Sequence, residues 1–417
     1  MKIRPRPYRL INQIQHYAWG ARGAAAFIPR LLNIPAEPGQ PYAELWIGAH
    51  PKAPSEVVIE GARVPLDRLI AAHSREILGE TVAMAFGERL PFLFKVLSAA
   101  EALSIQVHPN KAQAIALHKR DPAHYPDANH KPEIAIALDS LTLLAGFKPF
   151  AEIAATLAAV PALADFTGAA AERLRAAQRP TPAEAAELVG ELYATLLRRS
   201  LTDQEALAVA VSRHARQLRE AGRPLGEIEE RFLALREKYG DDDVGLFSLF
   251  LLNLVHLQRG EALFTPAGVP HAYLEGNLIE CMANSDNVVR AGLTPKFRDV
   301  ETLVEILAPA PGRPAILRPS PDAQETVYHT PASEFEVSRW ELRSGQSRRV
   351  TTSGGPEVYL VTRGSIQLRW GTNGETATFG QGESFLVPAV MGIFEILAQG
   401  HTEIFRVVAP GESNVNK

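Results

Sequence analysis

Cysteine is almost absent from this 417-residue chain, with Cys281 the single example. No intrachain disulfide can form, and a thiolate-rich metal site is excluded. Any metal must be held by imidazole, carboxylate or amide oxygen. Long apolar runs are missing too. The longest, Gly245 to Leu257, is too short for a bilayer span and is interrupted by Asn253 and His256, so a buried helix is expected there. The opening MKIRPRPYRL has no apolar signal-peptide core, which makes a cytoplasmic, membrane-free protein the expectation. Nor is there an excess of positive charge. A net charge of -4 argues against a non-specific nucleic-acid binder, so any phosphate must be met by a local group of Lys and Arg.

What remains is ordinary globular composition, 46% hydrophobic and 22% charged, in a chain long enough for two or three compact units. Residues 1 to about 148 carry Gly, Pro and short apolar runs. SEVVIEG (55–61), PFLFKVL (91–97), LSIQVHP (103–109) and KPEIAIAL (131–138) read as strands. From about 149 to 242 the text turns Ala-, Leu-, Glu- and Arg-rich with helical spacing. Thr181 can cap a helix there, with Pro182 at its first position, Glu184 completing a capping box, and Leu188, Leu192, Leu196 and Leu197 along one face. Strand-like text returns after Leu257. A Pro-rich seam at 308–321 precedes further glycine-bounded β runs, so the last hundred residues read as a small all-β domain.

One internal repeat stands out. Gly260-Glu261-Ala262-Leu263-Phe264-Thr265-Pro266-Ala267 matches Gly382-Glu383-Ser384-Phe385-Leu386-Val387-Pro388-Ala389. Five residues after the proline comes His271 in the first copy and Ile393 in the second. The form G-x5-P-x-G-x2-H resembles the second half of the cupin signature, a jelly-roll motif. The expected fold is mainly β with an α-helical insert: two cupin-type jelly-roll barrels plus a helical domain. Residues 1–148 and 243–312 would form a catalytic barrel, 149–242 the inserted helices, and 313–417 a C-terminal barrel that has lost its metal ligand.

Gln106 and His108 lie two apart on one strand and so share a face, with Val107 on the other. Lys131 and Glu133 form a second such pair, and His271 lies at the turn of the cupin-like hairpin. One amide oxygen, one carboxylate and two imidazoles make a plausible divalent site. Asn284 to Lys296 is dense in polar groups, and its Arg290 and Lys296 could hold a phosphate or stabilise developing negative charge. Lys95, inside the apolar run PFLFKVL, needs a partner if it points inward.

Several phrases occur in order: Tyr17-Ala18-Trp19-Gly20, Ala43 to Gly48, Pro91 to Lys95, Ser104 to Pro109, Asn129 to Glu133, Pro266 to Tyr273 and Asn284 to Lys296. Together they resemble the type I phosphomannose isomerases over roughly residues 10–148 and 243–300. The first phrase departs slightly, since relatives often have proline after its first aromatic. The resemblance implies one zinc ion per chain, held by Gln106, His108, Glu133 and His271, with Arg290 at the family's catalytic arginine. It places Lys95, Ser104, Lys131, Tyr273, Glu280, Asp286 and Lys296 at pocket positions.

The implied reaction converts mannose 6-phosphate to fructose 6-phosphate by moving a proton between C1 and C2 through an enediol. It needs a base, a hydroxyl-proton shuttle and positive charge near O1 and O2. Glu280, Asp286 or a neutral Lys131 could be the base. Arg290 suits charge stabilisation, and Lys95 and Lys296 suit phosphate. The rival readings are a cupin oxygenase with iron and a non-catalytic sugar-binding cupin. A bifunctional isomerase would need a Gly-rich nucleotidyltransferase segment, which the N-terminal text lacks.

Overall fold

Strand periodicity explains how the main sheet is buried on one side and chemically equipped on the other. The computed structural model describes residues 2–320 and 323–410. Its ten-stranded antiparallel sheet runs in the order Ile316–Leu317, Ala262–Thr265, Glu133–Phe147, His271–Ala283, Phe92–Ala99, Glu44–Gly48 and Gln13–Gln15. Leu252–Leu257 pairs with the far half of Glu133–Phe147, and Ile105–Val107 joins the start of His271–Ala283 to Val289–Gly292. Phe92, Phe94, Val96, Ile134, Ile136, Ile279 and Cys281 face one core, shared with Val337, Val358, Leu386 and Phe405 of the C-terminal sheets. The alternate residues, among them Lys95, Glu133 and Glu280, project from the opposite face.

The apolar run from Gly245 to Leu257 is not one helix. The helix ends at Leu251, and Leu252–Leu257 is a strand paired with Leu141 to Phe147. Asn253 supplies the reason. Its Nδ2 lies 2.8–3.2 Å from the carbonyl oxygens of Ala145, Gly146, Phe147 and Gly312, beside a bulge in the partner strand. In a continuous buried helix that amide would lack partners. The strand expected over 131–138 begins at Glu133 and continues to Phe147, with another register shift between Ala137 and Leu141.

Between these strands lie six helices from Phe150–Ala159 to Glu227–Tyr239. The longest, Pro182–Thr202, opens on the capping box: Thr181 Oγ1 accepts from the Glu184 N–H at 3.3 Å, and Glu184 Oε2 accepts from the Thr181 N–H at 2.8 Å. The helices bury Leu157, Leu192, Leu196, Val211 and Phe232 in a core that also takes Val107, on the back of the strand carrying Gln106.

The C-terminal part consists of a six-stranded and a four-stranded sheet around Trp340, Tyr359, Ile366, Phe385 and Ile396. Each sheet is an open path, so no closed barrel is found among the described residues. Tyr8–Leu10, from the other end of the chain, pairs with Ser384–Val387 at the edge of the six-stranded sheet. The sequence repeat has matching geometry. Gly260 and Gly382 both have φ of +81°, strands follow at Ala262–Thr265 and Ser384–Val387, and the next strands begin at His271 and Ile393. His271 is buried, whereas Ile393 is 49% exposed.

Candidate metal centre and active site

Glu133 and His271 each open a strand and His108 directly follows Ile105–Val107, which brings one ligand atom of each within 4.8 Å of the others. Glu133 Oε1 is 2.8 Å from His271 Nε2, and Oε2 is 3.5 Å from His108 Nε2. Gln106 lies directly across the ladder from His271, with its amide nitrogen 3.5 Å from His271 Nε2. A flip of that amide presents its oxygen instead. The four residues proposed from sequence therefore converge.

The surroundings fit a divalent ion. His108 Nδ1 is 2.8 Å from the Asn287 carbonyl oxygen and His271 Nδ1 is 2.9 Å from that of Val269. Each Nδ1 is then the protonated donor, which leaves each Nε2 lone pair turned inward, the arrangement found around metal-bound imidazoles. Burial and the neighbouring Lys131 push the His108 pKa down to about 4, so the ring is neutral near pH 7. Burial alone would raise the Glu133 carboxyl, but Lys131, His108 and His271 together outweigh it and hold the group well below the usual carboxylate range. Lys131 Nζ donates to Glu133 Oε2 at 3.0 Å.

Above these residues is an open cleft of ≈ 1250 Å³, lined in part by Ser104, Gln106, Lys131, Tyr273, Glu280 and Arg290. Glu280 accepts from Lys95 Nζ and from the Tyr273 hydroxyl, both at 3.0 Å. Lys95 also lies 3.6 Å from Glu44 and 5.2 Å from the centre of the Trp46 ring. Burial opposes its charge, yet Glu280 and Glu44 prevail and raise its pKa. Lys95 is thus matched by carboxylates and is not a free phosphate contact. Burial, Glu133 and Glu280 raise the Tyr273 phenol well above its ordinary value, so it stays a proton donor.

Asp286 faces the cleft but is tied to Lys52 at 2.8 Å and His50 at 3.5 Å. Burial pushes its carboxyl up, and these two neighbours overcome that and hold it below the carboxylate range. Arg290 sits opposite Gln106 in the ladder. Its guanidinium is half-buried, and burial alone shifts its pKa, downward, with no acidic partner contributing. Lys296 is exposed at the cleft wall.

Sequence reasoning did not single out Glu44, Trp46, His50 or Lys52. Glu44 and Trp46 could have been found, being two apart on the short apolar strand Glu44–Gly48. His50 and Lys52 carry no comparable signal. Asn287 was read only as part of a polar stretch. Its carbonyl faces His108, and its amide nitrogen lies 2.7 Å from the Asp127 carbonyl and 2.9 Å from that of Asn129.

Residues 8–150 match the family model described as phosphomannose isomerase type I, catalytic domain. The chain is 37% identical to mannose-6-phosphate isomerase 2 of Arabidopsis thaliana, over 97% of this chain and 93% of the relative. It is 38% identical to mannose-6-phosphate isomerase of Rattus norvegicus, over 87% and 88% respectively. Among solved structures, an arginine-to-alanine mutant of phosphomannose isomerase from Salmonella typhimurium superposes with a TM-score of 0.82 at 35% identity, covering 96% of this chain and 99% of that one. A zinc-bound mannose 6-phosphate isomerase does so with a TM-score of 0.82 at 34% identity, covering 97% and 99%. Shared sequence along nearly the whole chain, a shared fold and a convergent His–Glu–His floor make this chain a member of the type I phosphomannose isomerase family.

Proposed function

We propose that the protein interconverts mannose 6-phosphate and fructose 6-phosphate, with one zinc ion per chain held by Gln106, His108, Glu133 and His271. The observation that carries this reading is the meeting of His108, Glu133 and His271 within 4.8 Å. When bound, zinc supplies Lewis acidity where negative charge develops on the sugar oxygens.

The chain's own residues divide the remaining work. Arg290, with no acidic partner among the described residues, offers a fork of donors to the enediolate oxygens. Of the three candidate bases, Glu280 is best placed to carry the proton between C1 and C2. It is a buried carboxylate at the cleft, and Tyr273 and Lys95 fix its orientation. Asp286 is a weak base because His50 and Lys52 stabilise its ionised form. Lys131 Nζ is already engaged in a hydrogen bond that it donates to Glu133. Lys296 and Ser104 suit the phosphate.

The same reading takes residues 1–148 and 243–312 as a catalytic cupin-type unit, 149–242 as a helical insertion and 313–417 as a second cupin-like unit without a metal. The matched hairpins at Gly260 and Gly382 support it, with Tyr8–Leu10 reaching across from the first unit to the second. Mannose 6-phosphate conversion, measured before chelation, after chelation and after zinc is restored, tests the function. Conversion should vanish and return. Failure to convert the sugar phosphate with zinc bound would refute the proposal and leave a non-catalytic sugar-binding protein.

A further inference from the structure

Asp243 lies where the inserted helices return the chain to the sheet, between the helices Glu227–Tyr239 and Gly245–Leu251. Its side chain is buried and accepts three main-chain N–H groups. Oδ1 takes those of Gly245 at 2.7 Å and Leu293 at 2.8 Å, and Oδ2 takes that of Thr294 at 3.0 Å. Two of the three donors belong to the turn just after Arg290.

That turn is unusual in two ways. Leu293 has a φ of +54°, a left-handed conformation that branched side chains seldom adopt, and its side chain is packed in the core. The ladder joining Val289–Gly292 to Ile105–Val107 also shifts register between Arg290 and Gly292. Such bulges re-aim the neighbouring side chain. The backbones approach closely here: a Cβ at Gly292 would lie 2.4 Å from the Gly245 nitrogen, and one at Gly245 2.5 Å from the Leu293 nitrogen. Farther along the same side, Arg198 of the insert pairs with Glu301 at 2.6 Å.

We propose that Asp243 is a positioning residue for Arg290. Its carboxylate clamps the strained Leu293–Thr294 turn, fixes the bulge and thereby aims the guanidinium at the reacting oxygens. The inference rests on the reading of Arg290 given above. It also ties the catalytic arginine to the point where the chain leaves the helical insert, since Asp243 is the first residue after it.

Asp243→Asn is the sensitive variant. It keeps one oxygen for Gly245 and Leu293 but sets an NH2 group against the Thr294 N–H. With zinc content and melting temperature checked, kcat should fall between about tenfold and about 100-fold, while KM changes less. Hydrogen exchange at residues 289–294 should quicken while that at 133–136 holds. In an Arg290→Ala background, Asp243→Asn should cost less than about twofold more, because both changes act through one group. Equal losses in the two backgrounds, or a kcat for Asp243→Asn within about twofold of wild type, would overturn the inference. So would failure of Asp243→Asn to fold, which would make the clamp part of the structural frame alone. If Arg290→Ala itself keeps wild-type kcat, it is the reading of Arg290 that fails.

Discussion

Arg290 differs from Lys52, Lys95 and Lys131 in lacking an acidic neighbour among the described residues: Asp286, Glu280 and Glu133 neutralise those three. A half-buried cation without a partner is costly unless a ligand supplies one. Arg290→Lys is therefore expected to retain fold and zinc but to lose roughly 10²-fold or more in kcat, with a smaller rise in KM. Steady-state kinetics with parallel zinc determination measures this. A kcat near wild type in both Arg290→Lys and Arg290→Ala would remove the residue from the chemistry. Asp286 gives a prediction in pH. Its folded-state pKa is depressed, so its stabilising contribution is complete above the unfolded value of about 3.9 and is lost as pH falls through the folded value. It stays ionised from about pH 5 to 9, so Asp286→Asn should leave the acid limb of the rate profile in place. Disappearance of that limb in Asp286→Asn would restore it as the base.

Among the elements, local signals succeeded where local physics decides. The Thr181–Glu184 capping box formed as read because all of its groups lie within one turn. Thr181→Ala should destabilise the protein by about 1 kcal/mol with kcat unchanged. Denaturant midpoints and kinetics on the same variant check both halves, and a fall in kcat would show that the insert's long helix reaches the site energetically. Gly245 to Leu257 splits into a helix and a strand although its text suggests a single helix, because a short apolar run has the same composition in a buried helix and a buried strand. Four carbonyl oxygens around the Asn253 amide, from segments 59 to 108 residues away, decided for the strand.

For the molecule as a whole, metal and fold should separate. The three largest cores, around Phe247, Phe94 and Tyr359, are built from apolar side chains whose packing does not require an ion. Chelated protein should keep its secondary structure, lose activity, and melt at a lower temperature that rises again with added zinc, by the mass action of a ligand bound only to the native state. Circular dichroism, melting curves and metal analysis on one preparation test this. Unfolding on chelation would show that the sheet needs the ion to close its floor.

The residue types of the metal site, and the shared face of Gln106 and His108, were set by the sequence alone, because strand alternation is a property of the local backbone. The same holds for the helical insert and for the repeated hairpin at Gly260 and Gly382. Which charges are free for chemistry was decided only by the tertiary structure. Lys95 meets Glu280 across 185 residues of chain, and Asp286 meets Lys52 and His50. Asp243 reaches the turn beyond Arg290 from 50 residues away. No local pattern records such pairings, because Coulomb attraction and desolvation act through space and depend on what the fold places within a few ångströms.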